Sequence, residues 1–289
     1  MRAAALAVLA VAGCAAEAAP AATRLELRVR RAIAAHAPEA RPSVWLGGMN
    51  GREILALDAD RPVPGASTLK VLILVEAHAQ ALEGTFRFSD SVTLLEEDQV
   101  GGTGSLRRER PGTAWTYAQL ARKMIAESDN TASNLLLRRL GPERVNARAR
   151  SLGLSVTRLE RLFMDFEARR EGRENWTTAR EMGRLLGAIL RREILTPEAC
   201  GAMIRTLEAT SRGRIAAGVP RGVPVGHKSG SLPGGRHDVG WVRLPGRPYI
   251  LCIFLENVLE RPGGERDGGV EAIEAAAQAV YEELGPSDE

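Results

Sequence analysis

Lysine is almost missing from this chain. Of its 39 basic residues only Lys70, Lys123 and Lys228 are lysines, and the other 36 are arginines. An arginine keeps its proton in any protein setting, whereas a desolvated lysine can lose one and act as a base. Wherever any cation would serve, the sequence uses arginine, so each remaining lysine is a candidate for chemistry. Cysteine is as scarce, with only Cys14, Cys200 and Cys252. That is too few for the disulfide framework of a small secreted scaffold. Cys200 and Cys252 fall in a helical and a strand-like stretch and read as buried thiols, a disulfide being the alternative. Net charge is small, +3, with the arginines spread throughout, so a pI of about 9.0 is not read as a nucleic-acid footprint. His36, His78, His227 and His237 show no metal-ligand spacing, and neither metal nor cofactor is expected. Beyond the N-terminus no apolar run is long enough to cross a bilayer.

The N-terminus itself is informative. Arg2 precedes an apolar run at residues 3–12, followed by Gly13 and Cys14. A positive start, a short apolar run and small residues read as an export signal. Val11-Ala12-Gly13-Cys14 resembles the bacterial lipobox, whose cysteine carries the lipid; the alternative is a plain signal peptide cut within residues 15–22. The expectation is a signal at residues 1–14, a tether at 15–22, and a periplasmic lipoprotein held on the outer membrane through Cys14. Ala15 is not the aspartate that would retain it at the inner membrane.

At 289 residues the chain can bury a large core as one big domain or two intimate lobes. Apolar residues at 25, 29 and 33 predict a first helix ending near residues 36–38. Residues 43–50 and 53–58 read as strands joined at Asn50-Gly51, a hairpin signal. Helical patterns run over residues 117–127, 131–140, 142–152, 178–191 and 197–210. Strands return at 223–230, 238–244 and 248–256, and a closing helix carries Val270, Ile273, Ala277, Val280 and Leu284 on one face. Strands at both ends and helices between predict an α/β lobe from residues 23–65 and 211–286, with an all-helical lobe, 66–210, inserted.

Three short motifs stand within this frame. Ser67 and Lys70 are three apart where a Pro/Gly turn gives way to an apolar helical run, so hydroxyl and amine share a face. A serine becomes a nucleophile when a neighbouring base takes its proton, and a lysine with a lowered pKa can do so. Ser128-Asp129-Asn130 lies at a break between helices, where Asp129 can hold the turn or cap the next helix. Lys228-Ser229-Gly230-Ser231 ends a strand-like segment, where a lysine and a serine beside a glycine suit an anionic acyl donor. Gly101-Gly102-Thr103-Gly104-Ser105 lacks a following Gly-Lys-Ser/Thr and is not a phosphate loop.

In this order, 61 and then 100 residues apart, the motifs resemble those of the penicillin-recognising serine hydrolases, above all the class A β-lactamases. Residues 130–137 and 156–161 share the likeness, which covers roughly residues 23–284. It implies an α/β (α+β) fold, an antiparallel sheet flanked by N- and C-terminal helices with the helical lobe inserted. It implies Ser67 as acylated nucleophile, Lys70 as its proton partner and Ser128 as the relay to the leaving nitrogen. Asn130 would hold the acyl side chain, and Lys228 and Ser229, beside Gly230, the substrate carboxylate. The N–H groups of Ser67 and Ser231 would form an oxyanion hole, with Arg236 as a further carboxylate partner. The substrate would be a β-lactam or a peptidoglycan peptide, without nucleic acid, with membrane contact only through the N-terminal lipid, and the chain acting as a monomer.

One departure stands out. The family's deacylating glutamate should fall at position 163, with an asparagine four residues later, but the chain has Phe163 and Glu167. Glu167 and Asp165 are the candidate substitutes. The expectation is that β-lactams acylate Ser67 and leave slowly. The alternatives are a D-alanyl-D-alanine peptidase or esterase on the same machinery, or a non-catalytic, lipid-anchored cell-wall binding protein.

Overall fold

A computed structural model describes residues 21–210, 213–259 and 267–285. The proposed signal, Cys14 and most of the tether lie outside them. Helix α1 (Ala21–His36) begins two residues inside the predicted tether, where Ala21 and Ala22 already favour helix. Strands β1 (Arg41–Gly48) and β2 (Glu53–Leu57) form a hairpin, and a short β3 (Val63–Pro64) follows. Helix α2 (Lys70–Leu82) leads to a small ribbon of β4 (Ser91–Thr93) with β5 (Ala114–Thr116). Helices α3 (Tyr117–Ala126), α4 (Asn130–Leu140) and α5 (Pro142–Ser151) come next. A long loop then carries the one-turn α6 (Phe166–Arg170) and ends at β6 (Trp176–Thr177). Helices α7 (Ala179–Leu190), α8 (Pro197–Glu208) and the short α9 (Arg214–Ala217) lead into β7 (Val225–Leu232), β8 (Gly235–Val242) and β9 (Tyr249–Glu256). Helix α10 (Gly268–Leu284) packs beside α1.

The five-stranded antiparallel sheet has the order β2-β1-β9-β8-β7, so strands from both ends of the chain interleave. Alternation along the strands sorts side chains to two faces. Val44, Leu46, Leu251, Ile253 and Leu255 pack with α1 and α10, while Trp45, Val239, Trp241, Cys252 and Phe254 join the core of the helical lobe. The central strand β9 is buried on both faces, which is why its sequence reads as an unbroken apolar run. Trp45 wedges against α7 at Gly183, where any Cβ would stand 2.1 Å from the indole. Helix α2 is apolar almost all round because the helical lobe encloses it, and residues 71–75 are fully buried. Cys200 and Cys252 are both buried free thiols. No helix among the described residues is long and apolar enough to cross a membrane.

Candidate active site

The turn carrying Ser67 is fixed from two sides. Before it, β3 pairs with β6, and the Gly65 N–H donates to the Asn175 carbonyl at 2.8 Å, stapling the turn to the end of the long loop. After it, Ala66–Leu69 forms a 3-10 turn that runs straight into α2. In 3-10 geometry residues three apart eclipse, which puts Ser67 and Lys70 on one side of the turn. Ala66 takes a left-handed φ of 47°, a strained conformation that the staple holds in place. Gly230 on β7 closes the other side. A Cβ there would stand 3.1 Å from Ala66 Cβ and 3.2 Å from Ser67 N, so glycine lets this strand edge approach the nucleophile without crowding it.

Lys70 is completely buried. Its Nζ lies 2.6 Å from the Ser128 carbonyl, 2.9 Å from the Asn130 Oδ1 and 3.3 Å from the Ser128 hydroxyl. Burial, reinforced by the nearby Lys228 and only partly opposed by Asp129, pushes its pKa well below the usual lysine range. A neutral amine in this place can accept a proton. Ser128 is itself held at a left-handed φ of 54°, its carbonyl also accepting from Thr103 Oγ1 at 2.7 Å. Asp129 serves as both clamp and cap: Oδ2 accepts from Leu106 N and Oδ1 from Ala132 N in the first turn of α4, each at 2.8 Å. Asn130 is anchored on its far side by donation to the Gly101 carbonyl at 3.1 Å.

Lys228 is buried on the sheet face that meets the helical lobe, its Nζ 2.9 Å from the Ser229 carbonyl. Burial and then Arg214 lower its pKa to about 8, against an opposing pull from Asp238. A residue that sequence reasoning missed stands beside it. Arg214, the first residue of α9, donates to the carbonyls of Gly230 at 2.7 Å and His237 at 2.6 Å and to the Ser231 hydroxyl at 2.6 Å. As one arginine of 36 it carried no local signal. Arg236, by contrast, does not reach the cavity. It pairs with Leu255 on the face turned to the terminal helices, and its guanidinium is spent on Asp267 at 2.6 Å and the carbonyls of Leu232 and Gly235.

These elements surround one cavity of about 310 Å³, lined by Ser67, Ser128, Asn130, Ser229, Gly230 and Ser231 and, from the long loop, by Arg161, Phe163, Met164, Phe166 and Arg169. Among the described residues no aspartate or glutamate lines it. The loop is tied down firmly. Glu181 accepts from Val156 N, Thr157 N and Thr157 Oγ1, and Asn175 Oδ1 accepts from the N–H groups of Glu160 and Arg161. Buried Asn134 brackets Phe163, donating to its carbonyl at 3.0 Å and accepting from its N–H at 2.9 Å. The Phe163 ring is thereby held with its centroid 4.8 Å from the Lys70 amine. Both candidate substitutes for the missing acid are elsewhere. Asp165 caps α6 through Ala168 N at 2.9 Å and lines a separate hollow with Glu143 and Arg173, while Glu167 is exposed on α6. A side chain that caps a helix is already committed, and the re-threading that would bring either acid inward does not occur.

Residues 24–284 match the family model described as the Beta-lactamase enzyme family. The chain belongs to the β-lactamase family. It is 31% identical to a β-lactamase of Streptomyces albus G over 85% of its own length and 81% of the relative's, and 30% identical to one of Haemophilus influenzae over 85% and 80%. Among solved structures it resembles a β-lactamase from Sphaerobacter thermophilus, with a TM-score of 0.79, 28% identity and coverage of 89% of this chain and 96% of that one. It also resembles PBP-A, solved with one leucine changed to glutamate as an acyl-enzyme complex with penicillin G, with a TM-score of 0.79, 25% identity and coverage of 90% and 95%. In this β-lactamase-family fold the Ser67 cavity lies at the seam between sheet and helical lobe.

Proposed function

We propose that this serine hydrolase opens β-lactams through an ester on Ser67 and releases the product slowly. The observation carrying the proposal is a single cavity that joins Ser67, Ser128 and the β7 edge over a buried, depressed Lys70, with Phe163 where a base is needed. The neutral Lys70 amine takes the Ser67 proton as Oγ attacks the lactam carbonyl. The N–H groups of Ser67 and Ser231 receive the oxyanion, and the N-terminal end of the Ser67 helix adds its positive dipole. The C–N bond breaks, Ser128 passes a proton to the departing nitrogen, and an acyl ester remains. Lys228 and Ser229 hold the ring carboxylate, and Arg214 holds Gly230 and Ser231 of the same strand edge in place. The acyl-enzyme found with penicillin G in a structurally similar protein supports the first half-reaction. Hydrolysis needs an activated water, and among the described residues the cavity wall offers no carboxylate to activate it.

The same feature favours a second substrate class. A β-lactam keeps its leaving nitrogen tethered in the site, obstructing water on that side. A D-alanyl-D-alanine peptide or ester sheds its leaving group, so water can enter by the vacated route and use Lys70. Intact mass after incubation with a penicillin, wild type beside Ser67→Ala, tests the shared step. A persistent adduct on the wild type alone is expected; an unmodified wild type, with no turnover of a chromogenic cephalosporin, would overturn the proposal. Hydrolysis of a D-alanyl ester without β-lactam turnover would assign the chain to the peptidase class. We further propose export to the periplasm with lipid on Cys14, for which radiolabelled palmitate incorporation, lost in Cys14→Ala, is the test.

A further inference from the structure

Two arginines of the long loop, Arg161 and Arg169, share one carboxylate. Glu174 Oε1 sits 2.7 Å from Arg161 Nη2, and its Oε2 sits 3.1 Å from Arg169 Nε. Glu174 is buried and is not part of the cavity wall, whereas both arginines line it. A single carboxylate balances one guanidinium, so an uncompensated positive charge faces the cavity from the loop side. The Arg169 side chain is 33% exposed and accessible to a ligand. The opposite wall is formed by Ser229, Gly230 and Ser231, and the Lys228 amine and Arg214 guanidinium stand directly against these residues, giving the β7 edge two cations. The nucleophile lies between two cationic ends, with Met164 and Phe166 offering apolar surface beside the loop arginines.

We infer that the preferred acyl donor is a dianion, with one carboxylate beyond the scissile bond for the β7 edge and a second on its acyl side for Arg161 and Arg169. This rests on the acyl-enzyme reading above. A guanidinium is suited to such a carboxylate because its fork can bind both oxygens and is only weakly hydrated. A hydrogen bond between charged groups gains enough for a preference of about tenfold or more.

Benzylpenicillin and its α-carboxy derivative differ by that one carboxylate and provide the test. The second-order rate of Ser67 acylation is measured for each by intact mass, and their ratio compared among wild type, Arg169→Gln and Arg169→Lys. The ratio is expected to favour the dicarboxylate about tenfold in the wild type, fall towards one in Arg169→Gln and survive largely in Arg169→Lys. Raising the salt should shrink the wild-type ratio, a reading that needs no variant. A wild-type ratio of one or below, or one indifferent to both salt and Arg169, would overturn the inference while leaving the acyl-enzyme intact. Failure of both compounds to modify Ser67 would remove the acyl-enzyme reading and this one with it.

Discussion

Exchanging Phe163 for glutamate should convert a slow-releasing acyl-enzyme into one that turns over. The backbone at this position is pinned by Asn134, so a new side chain should follow the path of the ring, whose centroid is 4.8 Å from the Lys70 amine. A carboxylate at that distance interacts with a lysine ammonium by about 3.5 kcal/mol at an effective dielectric of about 20. It would therefore raise the lysine's pKa back towards its ordinary range, and acylation is not expected to accelerate. Deacylation gains a general base, worth roughly 10²–10⁴-fold in rate, or about 3–5 kcal/mol of barrier. The assay follows the adduct by intact mass after a short pulse of penicillin, in wild type, Phe163→Glu and Phe163→Leu. The leucine variant opens similar space without supplying a base. An adduct equally long-lived in wild type and Phe163→Glu, or equally short-lived in the glutamate and leucine variants, would refute the argument that release waits on a missing carboxylate.

Other outcomes follow from the same geometry. Because Lys228 titrates at about 8, its carboxylate-binding charge is present below that pH and lost above it; acylation should fall as pH rises through about 8, and Lys228→Arg should remove that limb of the profile. Asn134→Leu would leave the buried N–H and C=O of Phe163 without their amide partner, costing about 2–5 kcal/mol in urea unfolding and opening the loop to proteolysis. Burial holds His78 at about 4, while burial and then Arg214 hold His237 at about 3, both below the ordinary 6.5. The unfolded chain therefore takes up these protons first as pH falls, so the stabilisation is full above 6.5 and is lost from there towards 4 and 3. Unfolding curves near pH 7.5 and pH 5 should differ by roughly 2 kcal/mol per histidine, and His78→Leu should flatten part of that dependence.

What the sequence made legible was local. Ser67 and Lys70 share one side of a helical turn because their three-residue spacing dictates it, and Asp129 caps because its place before α4 dictates it. The run at residues 248–256 read as a strand, and Tyr249–Glu256 is one, buried on both faces up to Leu255. Illegible features depended on which distant segments touch. Arg214 reaches Ser231 only because α9 packs beside β7 and β8. Arg236 follows the Lys228 motif closely but faces the terminal helices, a matter of sheet pairing. Asp165 looked like a spare acid until α6 formed behind it and claimed its oxygen.

Strand β1 has one neighbour that follows it directly, β2, and another, β9, that comes near the far end of the chain. A polypeptide emerging amino end first can close the β1–β2 hairpin early, yet the other margin of β1 waits until residues 249–256 have been made. Through most of synthesis that margin is an unpaired, apolar template liable to stick to other chains. The sheet is thus completed only when a segment close to the carboxyl end of the chain has been made.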